Sequence, residues 1–171
     1  MKIRTDFVTN SSSSSFICVF KNKAEFFEQM EKMGLYWGSI YCSTLYKDIL
    51  ENKKTREEVL SELKKYYQSE TDYIMYWANY QGYRSIPSKE NWHEILESKG
   101  IEYRDRFKCK EYKEKFNSIV KQKLERIEKS IPKRAFIACV EYADDEGEFG
   151  SCMEHDVMPS LPFVIEQLNH H

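Results

Sequence analysis

The chain contains no Cys-x-x-Cys pair, no Gly-x-x-x-x-Gly-Lys-[Ser/Thr] segment and no His-Glu-x-x-His helix. It also has no apolar run near the ~18 residues that a membrane-spanning helix requires. Each absence removes a class. Five cysteines at wide spacing (Cys18, Cys42, Cys109, Cys139 and Cys152) fit neither a zinc ribbon nor a disulfide framework. Without the glycine-rich loop there is no nucleotide phosphate site of the usual kind, and no base stands beside the run Ser11 to Ser15 in sequence to argue a nucleophile. Lys2 and Arg4 are followed by no apolar stretch of the secretory type. The expected compartment is therefore the cytoplasm, with no membrane partner. Basic residues are missing altogether from Ala135 to His171, which hold eight Asp/Glu, whereas Lys99 to Arg134 carry thirteen Lys/Arg against six Asp/Glu. The total is nearly balanced at −2, so the whole molecule exerts no strong pull on nucleic acid. A basic segment beside an acidic one reads first as self-complementary surface.

What is present in excess is serine, in one place. Thr9-Asn10-Ser11-Ser12-Ser13-Ser14-Ser15 lies between two apolar runs, Ile3 to Val8 and Phe16 to Phe20. Such side chains bond to nearby backbone and favour turns, so the run reads as a connection between two strands. Thr9, Asn10 and Ser11 to Ser15 are the candidate binding residues, as an array of N–H groups and hydroxyls able to hold an anion. The opening Met1-Lys2-Ile3-Arg4-Thr5-Asp6-Phe7-Val8-Thr9-Asn10-Ser11-Ser12-Ser13-Ser14-Ser15-Phe16 resembles the start of a scattered group of uncharacterised prokaryotic and phage-type proteins. These share a Phe-Val-Thr-Asn-Ser-Ser-Ser-Ser-Ser-Phe opening ahead of dissimilar bodies. The resemblance covers about a tenth of the chain. It implies a recurring N-terminal element, a processing or recognition tag, and transfers no catalytic residue.

Along the chain, Lys2 to Val8 and Phe16 to Phe20 read as strands. Asn22 caps a helix that places Phe26, Phe27, Met30 and Met33 at helical spacing and stops at Gly34. Leu35 to Cys42 is open between loop and strand. Ser43 or Thr44 starts a helix through Leu50, and Thr55-Arg56-Glu57-Glu58 is a capping box for the next. Tyr73 to Arg84 is aromatic-rich but carries only one basic residue, so a packed helix is preferred to a base-stacking platform. Ser88 caps a short helix with Trp92, Ile95 and Leu96, on which His93 is a surface residue. Lys108 to Ser130 carries a clean apolar stripe of Cys109, Tyr112, Phe116, Ile119, Val120, Leu124 and Ile127. Its Lys-rich remainder reads as a solvated face, with polyanion binding through residues 108–129 as the second reading. Arg134 to Tyr142 is a strand, Asp144 to Gly147 a turn, Glu148 to Met153 the return strand of a hairpin, and Phe163 to Leu168 a last helix.

Glu154, His155, Asp156, His170 and His171 crowd the last eighteen residues and form the candidate metal set, with oxygen and imidazole donors suited to Zn, Mn, Fe or Ni. The sequence identifies no cofactor. The expected fold is α+β: a single domain over 1–171 with a small antiparallel sheet made of the N-terminal strands and a C-terminal hairpin. Helices inserted over about 23–130 pack mainly on one face. Pairing across that insertion would bring the serine run beside Glu154 and His155. The first functional expectation is a non-enzymatic interaction module whose partner is a protein. The second is a metal- or phosphate-dependent enzyme using the serine run and the C-terminal Glu/His/Asp cluster.

Overall fold

A computed structural model describes residues 13–72, 74–75, 89–143 and 147–170, with the side chains of 89, 90, 169 and 170 left out. The expected strand Lys2 to Val8, the residues Thr9 to Ser12, most of the aromatic segment and the acidic turn 144–146 lie outside the described residues. The fold is α+β, dominated by helix, and among the described residues it has a four-stranded antiparallel sheet of order β2-β3-β1-β4. Its strands are β1 (Ser13–Phe20), β2 (Lys53–Lys54), β3 (Phe136–Ala143) and β4 (Val164–His170). The chain divides into two compact units, Met1–Val59 with Ile131–His171, and Leu60–Ser130.

The first unit contains the sheet. Alternation along β1 turns Phe16, Cys18 and Phe20 to one face, and along β3 Ala138, Val140 and Tyr142 to the same face. Helices α1 (Lys23–Trp37) and α2 (Ser39–Glu51) bury Phe26, Met30, Met33, Leu45 and Ile49 against it. Asn22 accepts from the Glu25 amide and caps α1 as expected. Gly34 does not stop the helix. It continues to Trp37 and ends at Gly38, whose φ of 92° is open to glycine at little cost. Gly34 stays helical because nothing there demands a left-handed turn. The open stretch Leu35 to Cys42 is therefore the end of α1 and the start of α2, and α2 begins before the expected Ser43.

Two expectations at the C-terminal end are overturned. Glu148 to Met153 is not a return strand. After Gly147 (φ 80°) the chain enters α6 (Gly147–Cys152), a π-helical stretch (Met153–Val157) and a final turn α7 (Met158–Ser160). The physical reason is the spacing of Phe149, Met153, Val157 and Leu161, four apart, which lays one helical stripe on the core. Phe163 to Leu168 is not a helix: Phe163 closes a turn and the strand begins at Val164. Val164 and Ile165 are β-branched, and β1 offers a ladder from Ser13 to Cys18 that the segment completes as β4, with a bulge at Ile17/Cys18.

The second unit is helical: α3 (Arg56–Ser69, entering from the first unit), α4 (Lys89–Ser98), a 3₁₀ turn (Tyr103–Lys108) and α5 (Lys110–Ser130). The capping box opening α3 forms in full. The Thr55 amide donates to Glu58 Oε2 at 2.7 Å and the Glu58 amide to Thr55 Oγ1 at 3.2 Å. Leu63, Tyr67, Ile74, Trp92, Leu96, Tyr112, Phe116 and Ile119 are buried. Arg106 ties this unit's polar interior. Its guanidinium donates to Thr71 Oγ1, to the Tyr103 carbonyl and to the Tyr112 hydroxyl. Burial, and then the bond of its hydroxyl to Asp72, hold the Tyr103 phenol well above the usual range.

Candidate functional site

The serine run has two environments once it enters the sheet. Ser13 to Ser15 are the first residues of β1, not a connection, because β3 and β4 flank them on both sides and take up their backbone groups. Alternation then sends Ser14 and Ser15 to opposite faces.

Ser14 is 2 % exposed and donates to Glu154 Oε1 at 2.6 Å. Gln167 Nε2 of β4 donates to the same hydroxyl at 3.3 Å. The two regions singled out in the sequence are therefore joined by one short hydrogen bond across 140 residues of chain. Glu154 is itself buried on the π-helical stretch, and its Oε2 has no hydrogen-bond partner among the described residues. His155 Nε2 stands 4.0 Å from that oxygen, on an exposed side chain. Asp156 is exposed. His170 is paired in register with Ser13, while its side chain and the whole of His171 lie outside the described residues. Among the described residues no three His, Cys, Asp or Glu side chains form a metal-holding group.

Ser15 belongs to a different feature. It lines a cleft of about 590 Å³ together with Thr44, Asp48 and Asn52 of α2 and its end, Lys54, Cys139, Glu141 and Tyr142 of β3, and Phe149. Residues from both faces of β3 line this cleft: Cys139 and Glu141 from one, Tyr142 from the other. Its floor is therefore the edge of the strand. That edge has a definite hydrogen-bonding phase. The Cys139 amide donates to the Asn52 carbonyl at 3.1 Å, away from β1. Alternation then points the N–H and C=O of Glu141 and Ala143 in the same direction. β2 pairs only with Ala138 and Ile137, so beyond Cys139 no strand among the described residues covers this edge. The wall opposite is fixed by the Tyr142 hydroxyl, which donates to Asp48 Oδ2 at 2.8 Å.

The chain matches no family model, no curated protein and no solved structure.

Sequence reasoning missed Asp48, Asn52, Thr44 and Tyr142. They come from an unremarkable helix and a strand, and only the early end of β2 makes them a site. It also missed Lys123, which falls on the apolar stripe of α5 and is 3 % exposed, with its Nζ 5.0 Å from the Tyr67 ring centre. On the outer face of α5, Lys110 pairs with Glu114 and Lys121 with Glu125, one helical turn apart. No helix among the described residues is long and apolar enough to cross a membrane.

Proposed function

We propose that this protein is a non-enzymatic interaction module, and that it takes an extended segment of a partner protein against the edge of β3 that no strand among the described residues covers. The observation that carries this reading is the Cys139-to-Asn52 bond, which sets the phase in which Glu141 and Ala143 face the cleft. A strand laid there gains main-chain hydrogen bonds, the ordinary basis of recognition by strand addition. The carboxylates of Asp48 and Glu141 outnumber the one cation lining the cleft, Lys54, so basic side chains on the incoming segment are favoured. The reading is tested by titrating the full chain with an alternating Val-Lys hexapeptide and following backbone amide resonances. The amides of Glu141 and Ala143 are expected to shift and gain exchange protection. Glu141→Lys is expected to weaken binding about tenfold, or ~1.4 kcal/mol. Binding that leaves both amides unmoved sinks the proposal.

A second reading, a metal- or phosphate-dependent enzyme, is favoured by one observation, the buried Oε2 of Glu154, which has no hydrogen-bond partner among the described residues and only His155 at 4.0 Å beside it. A carboxylate oxygen in that setting costs free energy unless a cation or donor completes it. Elemental analysis of protein purified without chelator decides it. Stoichiometric metal that Glu154→Gln loses supports the metal-dependent enzyme, and none in either sample removes Glu154, His155, Asp156, His170 and His171 as a metal set.

A further inference from the structure

The edge of β3 has a candidate occupant within the chain itself. Residues 1–12 lie outside the described residues and lead into Ser13, which pairs with Ala143 at the end of that strand. We propose that Ile3 to Asp6 dock as a short strand on the edge of β3 beyond Cys139, with Arg4 opposite Glu141, and that a partner segment must displace them. The inference rests on the strand-addition reading and adds a built-in competitor to it.

Three observations select this segment. The first is reach. An added strand stands two strand spacings from β1, about 9.6 Å. Phe7 to Ser12 span up to ~20 Å when extended, enough to round the end of β3 and still turn. Thr9, Asn10, Ser11 and Ser12 are residues that favour such turns. Because β1 is antiparallel to β3 and is entered beside Ala143, the docked segment runs parallel to β3. The second is alternation. Cys139 and Glu141 share one face of β3, and Val140 and Tyr142 share the face buried in the core. With Arg4 opposite Glu141, Arg4 and Asp6 fall on the first face, and Ile3 and Thr5, both β-branched, fall on the second. The third is charge. Glu141 is exposed and pairs with no cation among the described residues. Opposite charges facing each other across a ladder stabilise the pair. A shift of two residues would set Asp6 against Glu141, like against like, so one register is favoured.

The test is amide hydrogen exchange at Ala143 in the peptide-free full chain, for the wild type, Arg4→Glu, Glu141→Arg and the swapped pair Arg4→Glu/Glu141→Arg. The wild type is expected to exchange about fivefold more slowly than an unprotected amide, and added peptide to slow it further. Each single variant is expected to lose most of that protection, and the swapped pair to regain it. Exchange at the unprotected rate in the wild type overturns the docking, and so does protection unchanged in Arg4→Glu. Loss in the single variants without recovery in the swapped pair overturns the register. A second arm compares binding of the Val-Lys hexapeptide to the wild type and to Arg4→Gln, which adds no charge to attract it. A segment that fills the edge about four-fifths of the time weakens the peptide about fivefold, so Arg4→Gln is expected to bind it about threefold more tightly. Equal affinity overturns the competition. Peptide binding to neither protein, with the exchange pattern as expected, removes the strand-addition reading and leaves the docked segment standing. Peptide binding with no protection in the free wild type does the reverse.

Discussion

Ser14 shows how little of a residue's role its neighbours in sequence reveal. It is one of five identical serines, and a strand entering the sheet through such a run has little to fix its register. The bond to Glu154 supplies one anchor and the burial of Phe16 supplies the other. A slip by two residues one way would move a serine into the Phe16 site, and by two the other way would bring Phe16 against the buried carboxylate and leave it without its donor. Ser14→Ala is therefore expected to cost ~1–3 kcal/mol in urea unfolding, the usual penalty for stranding a buried acceptor. Adding Glu154→Met to Ser14→Ala removes the stranded acceptor, and most of the loss should return. A double variant no more stable than the single one would show that the hydrogen bond is not what holds the strand. Cys18, four residues on, is sealed in the core, where burial pushes its thiol far up and keeps it a packing residue, in keeping with its place in an apolar strand.

At the scale of elements, the two glycines of the α1–α2 corner make opposite predictions. Gly34 lies inside α1, and a Cβ built there would meet Cys42 Sγ at 3.5 Å, ordinary contact. Gly34→Ala should leave stability unchanged or raise it by ~0.5–1 kcal/mol. Gly38 holds φ at 92°, so Gly38→Ala should lower stability by about 1–2 kcal/mol although nothing stands within 4 Å of the added atom. Thermal unfolding of the two variants separates them by sign. The same corner shows what sequence alone could deliver. Elements whose evidence is local were legible: the Asn22 cap, the Thr55/Glu58 box, the stripe of α5 and the apolar run of β3 all stand within a few residues of their expected places. Elements whose identity depends on a distant partner were not. Val164 to Leu168 becomes strand because β1 lies beside it, and Glu148 to Met153 becomes helix because the core receives its stripe. The candidate site followed the same rule. Ser14 and Glu154 could be named from composition, but the cleft at β3 arises from the shortness of β2, which no run of residues announces.

At the scale of the whole molecule, the sheet is assembled from distant parts of the chain. β1 sits between β3 and β4 and pairs with both along most of its length, while the elements that follow it in sequence are helices α1 and α2. This central position has a consequence in time. On a growing chain the apolar run Phe16 to Phe20 is made early, and its second ladder partner emerges only with Val164 to His170, about 150 residues later. At ~5–20 residues per second that is an interval of roughly eight to thirty seconds. Until β3 emerges from Phe136 onward β1 has neither of these partners, and from then to the end of the interval it still lacks β4. The polar serines that precede it, and the helices that fold meanwhile, are what stand between that strand and association with other nascent chains.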